Sequence, residues 1–278
     1  MPMTRPKKQA AKKRVTQKFN SRRSFQTKKP TAPIKNKPER IAKVLAHAGL
    51  CSRREAEQWI LEGRVTVDGE VLKTPACVVS PINKITVNNR PFIWKSKQAK
   101  LWLYHKPLGY VVTHNDPQGR PTIFDILPKS LPRVVSVGRL DLNSEGLILL
   151  TNDGGLARYM ELPKNGFSRH YRVRVYGTVT PEIIERLGKG ITVDGVRYAP
   201  ATVEIDKATG RNAWLFVTLH EGKNREIRKM MQHFGLAVNR LTRLGYGPFE
   251  LRDLGPGKAK EIGEDQLHKL LPGYFGGK

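Results

Sequence analysis

The sequence predicts an α+β chain, and three observations carry that expectation. Apolar residues recur at helical spacing between residues 41 and 60, then give way to short alternating segments joined by an Asp-Gly pair. Two aliphatic runs, Val134–Val137 and Leu147–Leu150, are bounded by glycine and read as strands buried on both faces. From Arg169 to Leu219 the pattern has period two and is broken by hairpin signals, with no glycine arrangement of the nucleotide-binding kind.

At 278 residues the chain is long enough for two domains with a sizeable core. It carries 50 Lys and Arg against 24 Asp and Glu, a net charge of +26, which points to a polyanion, nucleic acid before a membrane surface. No apolar run approaches the ~20 residues of a membrane-spanning helix, and no signal-peptide pattern opens the chain. Cys51 and Cys77 are the only cysteines and form no C-x-x-C, so both read as inert packing in a reducing compartment, with the cytoplasm as the expected setting. The seven histidines have no metal-ligand spacing, so neither metal nor cofactor is expected.

Residues 1–38 hold 13 Lys and Arg and no acidic residue, half of the net charge. With so little apolar surface to offset chain entropy, this segment reads as a disordered basic arm. From Glu39 the character changes. Ile41, Val44, Leu45 and Ala48 lie on one helical face that Gly49 closes, and Ser52-Arg53-Arg54-Glu55 is a capping box opening a second helix. Val65 and Val67 lead into Asp68-Gly69, a two-residue hairpin turn, and Val71 returns. Arg53 and Arg54 fall at the exposed start of a helix, where backbone N–H groups also favour phosphate, and Arg64 enters the hairpin beside them. The polar residues Lys95–Lys100 read as a linker.

Next come Leu101–Tyr104 as a strand and Lys106-Pro107-Leu108-Gly109 as a sharp bend. Between the aliphatic runs sits a polar insert holding Asp141, two residues from the Arg139 guanidinium. By residue type alone Asp141 is either a turn aspartate or a catalytic group held on a loop between rigid strands. A helix begins after Thr151-Asn152-Asp153-Gly154. In the strand from Arg169 to Tyr176, alternation turns Tyr171, Val173 and Val175 to the buried side, where Tyr171 reads as either a core or a functional ring. Thr180-Pro181-Glu182 opens another helix. In the segment from Glu221 to Gly235, read as a helix, Ile227, Met230, Met231 and Phe234 share one face, and Arg225, Arg228, Lys229 and Gln232 the other.

The wording at four of these places resembles the RNA pseudouridine synthases, in the ribosomal branch typified by RsuA and RluB. Gly138-Arg139-Leu140-Asp141 followed by Gly146-Leu147-Ile148-Leu149-Leu150-Thr151-Asn152-Asp153-Gly154 is similar to that family's active-site motif. Arg169-x-Tyr171-x-Val173 and Glu221-Gly222-Lys223-x-Arg225-Glu226-Ile227-Arg228 resemble its later motifs. The helices followed by Gly63-x-Val65-x-Val67-Asp68-Gly69 resemble the S4 RNA-binding domain. The resemblance spans residues 40–255 and implies an S4 domain (39–95), a catalytic domain on a mixed, mainly antiparallel sheet (100–255) and a tail (256–278).

The resemblance further implies a monomer that isomerises uridine to pseudouridine in ribosomal RNA. It gives Asp141 as the essential carboxylate, acting either covalently or as a base, and Tyr171 as the ring that stacks on uracil. Arg228 would pair with Asp141, with Arg225 as the fallback. RNA contacts would come from Arg53, Arg54, Arg64, Arg120, Arg139, Lys223 and Arg225. Asn143-Ser144-Glu145 departs from the commoner Thr-x-Gly wording and resembles large-subunit members, which implies 23S rRNA. Two other readings stay open on residues alone: a non-catalytic S4 assembly factor and a hydrolase using Asp141. Asp141 with Glu145 is, however, a poor carboxylate cluster for metal-dependent hydrolysis.

The arm yields the first prediction. Deleting residues 1–38 weakens RNA binding broadly and flattens its salt dependence, because each phosphate contact contributes a slope of roughly 0.7–0.9. Site choice survives, since unstructured cations read no bases. Filter binding of the truncated chain across a salt series checks this; an unchanged slope makes the arm a bystander.

Overall fold

The computed structural model describes residues 38–93 and 98–276. The expected arm, apart from Pro38, and residues 95–97 of the expected linker lie outside the described residues. Among the described residues no helix is long and apolar enough to cross a membrane.

The first domain packs two helices on a four-stranded sheet. Helix α1 (Ile41–His47) and helix α2 (Arg53–Leu61) bury Ile41, Leu45, Ala56 and Ile60. The capping box at α2 is complete: the Glu55 N–H donates to Ser52 Oγ at 3.1 Å, and the Ser52 N–H donates to the Glu55 carboxylate. Strands β1 (Val65–Val67), β2 (Glu70–Val71), β3 (Ile85–Val87) and β4 (Arg90–Phe92) lie in the order β2-β1-β3-β4. Both hairpin turns place two residues at positive φ, Asp68 at 51° with Gly69 at 90°, and Asn88 at 51° with Asn89 at 61°. That geometry matches the right-handed twist of the flanking strands. Cys51 is buried in this core, and burial pushes its thiol up to about 11.

The second domain is a nine-stranded sheet. Its strands are β5 (Leu101–Lys106), β6 (Val135–Val137), β7 (Glu145–Thr151), β8 (Arg169–Tyr176), β9 (Thr202–Thr209), β10 (Asn212–Leu219), β11 (Ala237–Tyr246), β12 (Phe249–Glu250) and β13 (Ala259–Glu261). The path runs β9-β10-β8-β11-β7-β5-β13, with β6 paired to β7 and β12 to β11. Among these strands only β7 and β11 run parallel; every other pair is antiparallel. The sheet is therefore mixed and mainly antiparallel.

Helices cover it from both sides. On one face Trp102, Tyr104, Ile148, Leu150, Tyr171 and Val173 meet helices α4 (Pro181–Lys189) and α5 (Glu226–His233) through Leu187, Ile227, Met230 and Met231. On the other, Leu101, Leu103, Leu147 and Leu149 meet helix α3 (Gly154–Glu161) through Leu156 and Met160. Strand β7 is buried along its whole length, as a strand with two covered faces must be. Strand β6 is not: Val135 is exposed, because β6 covers only the far end of β7.

The segment expected as a tail from residue 256 belongs to the domain. Strand β13 pairs with β5 at the sheet edge, and helix α6 (Glu264–Leu270) follows. Ile262, Leu267 and Leu271 are buried there. Three apolar residues spaced among charges are too few to stand out as a periodic pattern.

One buried cation in β5 fixes the Asp141 loop. Lys106 shares a face with Trp102 and Tyr104 and is wholly buried. Its Nζ donates to the carbonyls of Ser144 at 2.7 Å and Pro107 at 3.0 Å. The Gly109 N–H reaches Leu142 O at 3.1 Å, so the Lys-Pro-Leu-Gly bend is fastened to the loop twice. Burial pushes the ammonium down to about 8, against the opposing charges of Asp141 and Glu145.

A second prediction follows. Lys106→Met preserves length and bulk but removes the donor, leaving buried carbonyls unmade at about 1–3 kcal/mol. The melting temperature falls accordingly. The unfolded chain holds the Lys106 proton more tightly than the folded one, so wild-type stability rises with pH between about 8 and the ordinary 10.5. Melting curves across that window show the rise in the wild type and its loss in the variant.

Candidate active site

The pocket is assembled from the Asp141 loop, strand β8, the segment before α5, and strand β11. Loop residues 138–144 join β6 to β7, with Leu140 and Ser144 buried as anchors. The Ser144 N–H donates to Asp141 O at 3.0 Å and closes the turn. The Asp141 carboxylate stays partly open to the pocket. Tyr171, on the buried side of β8 as its alternation predicts, lines the same pocket with its ring.

The cation facing Asp141 is Arg225. Its Nη1 lies 3.6 Å from Asp141 Oδ2. Arg228, expected in this place, instead donates from Nη2 to Asn143 O at 2.7 Å and from Nη1 to Val238 O at 2.9 Å. The reason is where the helix starts. The amphipathic pattern carries helical register back through Arg225, but α5 begins at Glu226, and Arg225 sits before it at φ +51°. That left-handed residue swings Arg225 out of the helical series and across to the loop. A non-glycine residue at positive φ is uncommon and tends to persist where surrounding contacts over-determine it. Arg228, one turn in, braces the loop from behind. Burial lowers its pKa and neighbouring Arg225 adds to this, with Asp141 opposing.

The floor of the pocket is a stack of cations and one ring. Arg169 and Arg243, both buried, place their guanidinium carbons 4.9 and 5.3 Å from the centre of the Tyr246 ring. Arg169 Nη2 donates to Tyr246 Oη at 3.0 Å, and that hydroxyl donates to Met160 O at 3.0 Å. Arg243 Nε donates to Leu147 O at 2.6 Å, while its Nη2 has no partner among the described residues. Close approach of β7 to β11 demands Gly146. A Cβ there would lie 2.3 Å from Arg243 O, and its φ is +104°.

Among the expected RNA-contacting residues, Arg139 is exposed on the pocket rim and Lys223 lines the wall, paired with Glu221. Arg53 and Arg54 are exposed on the first turn of α2. Arg64 is held by Asn88 at 2.7 Å and Glu62 at 2.9 Å, over the Trp59 ring. Arg120 is locked by two bonds to Asp116, at 2.9 and 2.7 Å, outside the pocket. Among the described residues no group of three His, Cys, Asp or Glu side chains is placed to hold a metal.

Sequence reasoning missed Lys106, Arg169, Glu226 and Arg243 as parts of the site. Lys106 alone left a usable signal, a cation at the period-two position that continues Trp102 and Tyr104.

Comparison with known proteins agrees with this geometry. Residues 100–233 match the RNA pseudouridylate synthase family and residues 39–81 match the S4 domain. An RNA pseudouridine synthase of Rickettsia felis, described as uncharacterised, is 48% identical over 231 residues, 83% of this chain and 100% of its own length. Ribosomal large subunit pseudouridine synthase B of Yersinia pestis is 41% identical over 218 residues, 77% of this chain and 69% of that protein. A solved structure described as a pseudouridylate synthase superposes with a TM-score of 0.60 at 26% identity, over 83% of this chain and 99% of that one. With its S4 domain ahead of this pocket, the chain belongs to the RNA pseudouridine synthase family.

Proposed function

We propose that this synthase isomerises specific uridines of ribosomal RNA, in the large subunit, with Asp141 as the essential carboxylate. The observation that carries the proposal is the Asp141–Arg225 pair facing Tyr171 in one pocket. The large-subunit assignment is supported by the Asn143-Ser144-Glu145 wording and by likeness to proteins described as ribosomal large subunit pseudouridine synthase B. A ribosomal substrate implies a cytoplasmic setting.

The reaction breaks the bond between uracil N1 and ribose C1′, turns the base, and joins C5 to C1′. The C5 proton leaves and N1 ends protonated, so atoms and electrons balance within the substrate. The target base must leave its stack to reach Asp141, which lines the pocket. Arg139 on the rim fits the vacated space or the phosphates beside it. The Tyr171 ring stacks on the uracil, and its hydroxyl serves the C5 proton. Arg225 orients the carboxylate, and the fixed cations of the floor meet the negative charge developing on the departing base. Exposed Arg53 and Arg54 on the S4 domain hold the RNA by its phosphates.

Mapping pseudouridine in ribosomal RNA from cells lacking this protein tests the proposal; an unchanged map defeats it. At the level of residues, Asp141→Asn abolishes product in single-turnover assays while RNA affinity stays within a few-fold. Tyr171→Phe binds RNA normally and turns over very slowly. Tyr171→Ala loses binding as well, since stacking contributes about 1–3 kcal/mol per base. A fully active Phe variant removes the hydroxyl from the proton step.

The two arginines separate by readout. Arg225→Gln keeps its melting temperature and loses about 10²–10³ in rate, the usual scale for a fixed electrostatic contact in a site. Arg228→Gln loses stability as well as rate, because Asn143 O and Val238 O lose their donor. Melting temperature and single-turnover rate measured on both variants check the division. Equal losses of stability would erase it.

A further inference from the structure

An acid pair beside Arg225 has no part in the reaction described above. Glu226, the first residue of α5, is 3% exposed and lines the pocket wall. Its Oε2 accepts the Lys223 N–H at 2.9 Å; its Oε1 is buried with no donor among the described residues. Lys223 bridges it to Glu221 at the far end of the same segment, with its N–H on Glu226 and its ammonium on Glu221. Glu221 is already supplied, by the Ala199 N–H at 2.7 Å and by the Lys223 ammonium. One lysine thus serves two carboxyl groups, and it sits on Glu221.

Two carboxylates in contact inside a protein do not both ionise readily, because desolvation and mutual repulsion add. A proton on Glu226 removes both costs and supplies a donor between the two carboxyl groups. The same carboxyl closes the turn that holds Arg225. Across that turn the Glu226 N–H reaches Lys223 O at 3.3 Å, and the Lys223 N–H returns to Glu226 Oε2. Arg225 lies inside this doubly closed turn, at its positive φ.

We propose that Glu221 and Glu226 share one proton, and that this proton holds Arg225 in place against Asp141, making Glu226 a positioning residue for catalysis. The proposal rests on the assignment of Asp141 and Arg225 made above. The other charged groups on this wall are Asp141 and Arg225 themselves, Arg169 beneath Gly222, and Arg243 from β11. Burial, then repulsion from Glu221, pushes Glu226 up to about 7 despite the Lys223 bond. Glu221 goes the other way: burial opposes it, but its backbone and lysine partners hold it below the ordinary range. The proton is therefore lost near neutrality, where the two charges would drive the turn open. Lys106 titrates higher, at about 8, and a variant at Glu226 leaves it in place.

The test compares the wild type, Glu226→Gln and Glu221→Gln from about pH 5 to about pH 9, by single-turnover pseudouridine formation on ribosomal RNA and by thermal melting. In the wild type the rate falls about tenfold per pH unit above about 7, as for one essential proton. In Glu226→Gln an amide N–H stands where the proton was, so the alkaline limb disappears from the shape of the rate profile, whatever the absolute rate of the variant. Glu221→Gln supplies the same bond from the other side and removes the limb too, so it serves if the first variant folds poorly. Melting gives an answer independent of activity. The folded chain holds the Glu226 proton more tightly than the unfolded one, so wild-type stability falls as pH rises from about 4.5 to about 7, relative to Glu226→Gln. A Glu226→Gln enzyme that keeps the wild-type alkaline limb, or a wild type melting in parallel with that variant through the window, overturns the proposal. Absence of pseudouridine from every form, with the melting difference intact, defeats the ribosomal substrate assignment and leaves the shared proton standing.

Discussion

Three cations end on backbone carbonyls of one short stretch of chain. Arg228 donates to Asn143 O, Lys106 to Ser144 O, and Arg243 to Leu147 O. A loop between two strands is ordinarily the mobile part of a sheet protein. Here the carbonyls that would otherwise need water are satisfied from α5, β5 and β11, three separately packed elements. Moving the loop means uncovering the buried charges of Lys106 and Arg243 and freeing half-buried Arg228, which costs more than breaking a neutral hydrogen bond. The Asp141 carboxylate takes no part in this fastening, and it faces Arg225 in the pocket.

The rest of the domain explains why those cations are where they are. Strand β7 is central, with β5 on one side and β11 and β6 on the other, and it is buried throughout. Its parallel contact with β11 runs through Thr242 opposite Glu145 and Arg243 opposite Gly146. At that point the backbones approach too closely for any side chain on residue 146. Arg243 can then reach across to Leu147 O from a strand that would otherwise be one side chain further away. The Tyr246 ring lets two buried guanidinium groups, Arg169 and Arg243, share one pocket, each close to the aromatic ring. Packing, close approach and charge placement are here a single constraint.

Much of this is legible in the order of residues. Asp-Gly at residues 68–69, the Ser52–Glu55 capping box and the alternation that buries Tyr171 are local rules, and local rules survive tertiary context when nothing competes with them. What the sequence hides is of three kinds. Helical register runs on through Arg225 because a residue in the left-handed region leaves no mark in an amphipathic pattern; only glycine or asparagine would have announced it. Residues 256–276 read as a tail because an edge strand and a short helix need few apolar residues when one face is exposed. Lys106, Arg169 and Arg243 do not stand out in a chain so rich in basic residues, since charge alone does not tell a buried cation from a solvated one.

That last ambiguity, once resolved, sorts the positive charge of the molecule. Part of it faces outward: Arg53, Arg54 and Arg139 are exposed, and their guanidinium groups are free to exchange water for phosphate. Part is committed to protein partners, as Arg64 is to Asn88 and Glu62, and Arg120 to Asp116. A third part holds backbone carbonyls: Lys106 and Arg243 in the interior, and Arg228 half-buried at its edge. Only the first part can release counterions on meeting RNA. The carbonyl-holding cations are fixed by their own partners before any RNA arrives, and charge preorganised in this way needs no reorganisation during a reaction. A high net charge therefore divides three ways, into groups open to solvent, groups paired with side chains and groups holding backbone carbonyls, and burial together with partners assigns each of these residues its part.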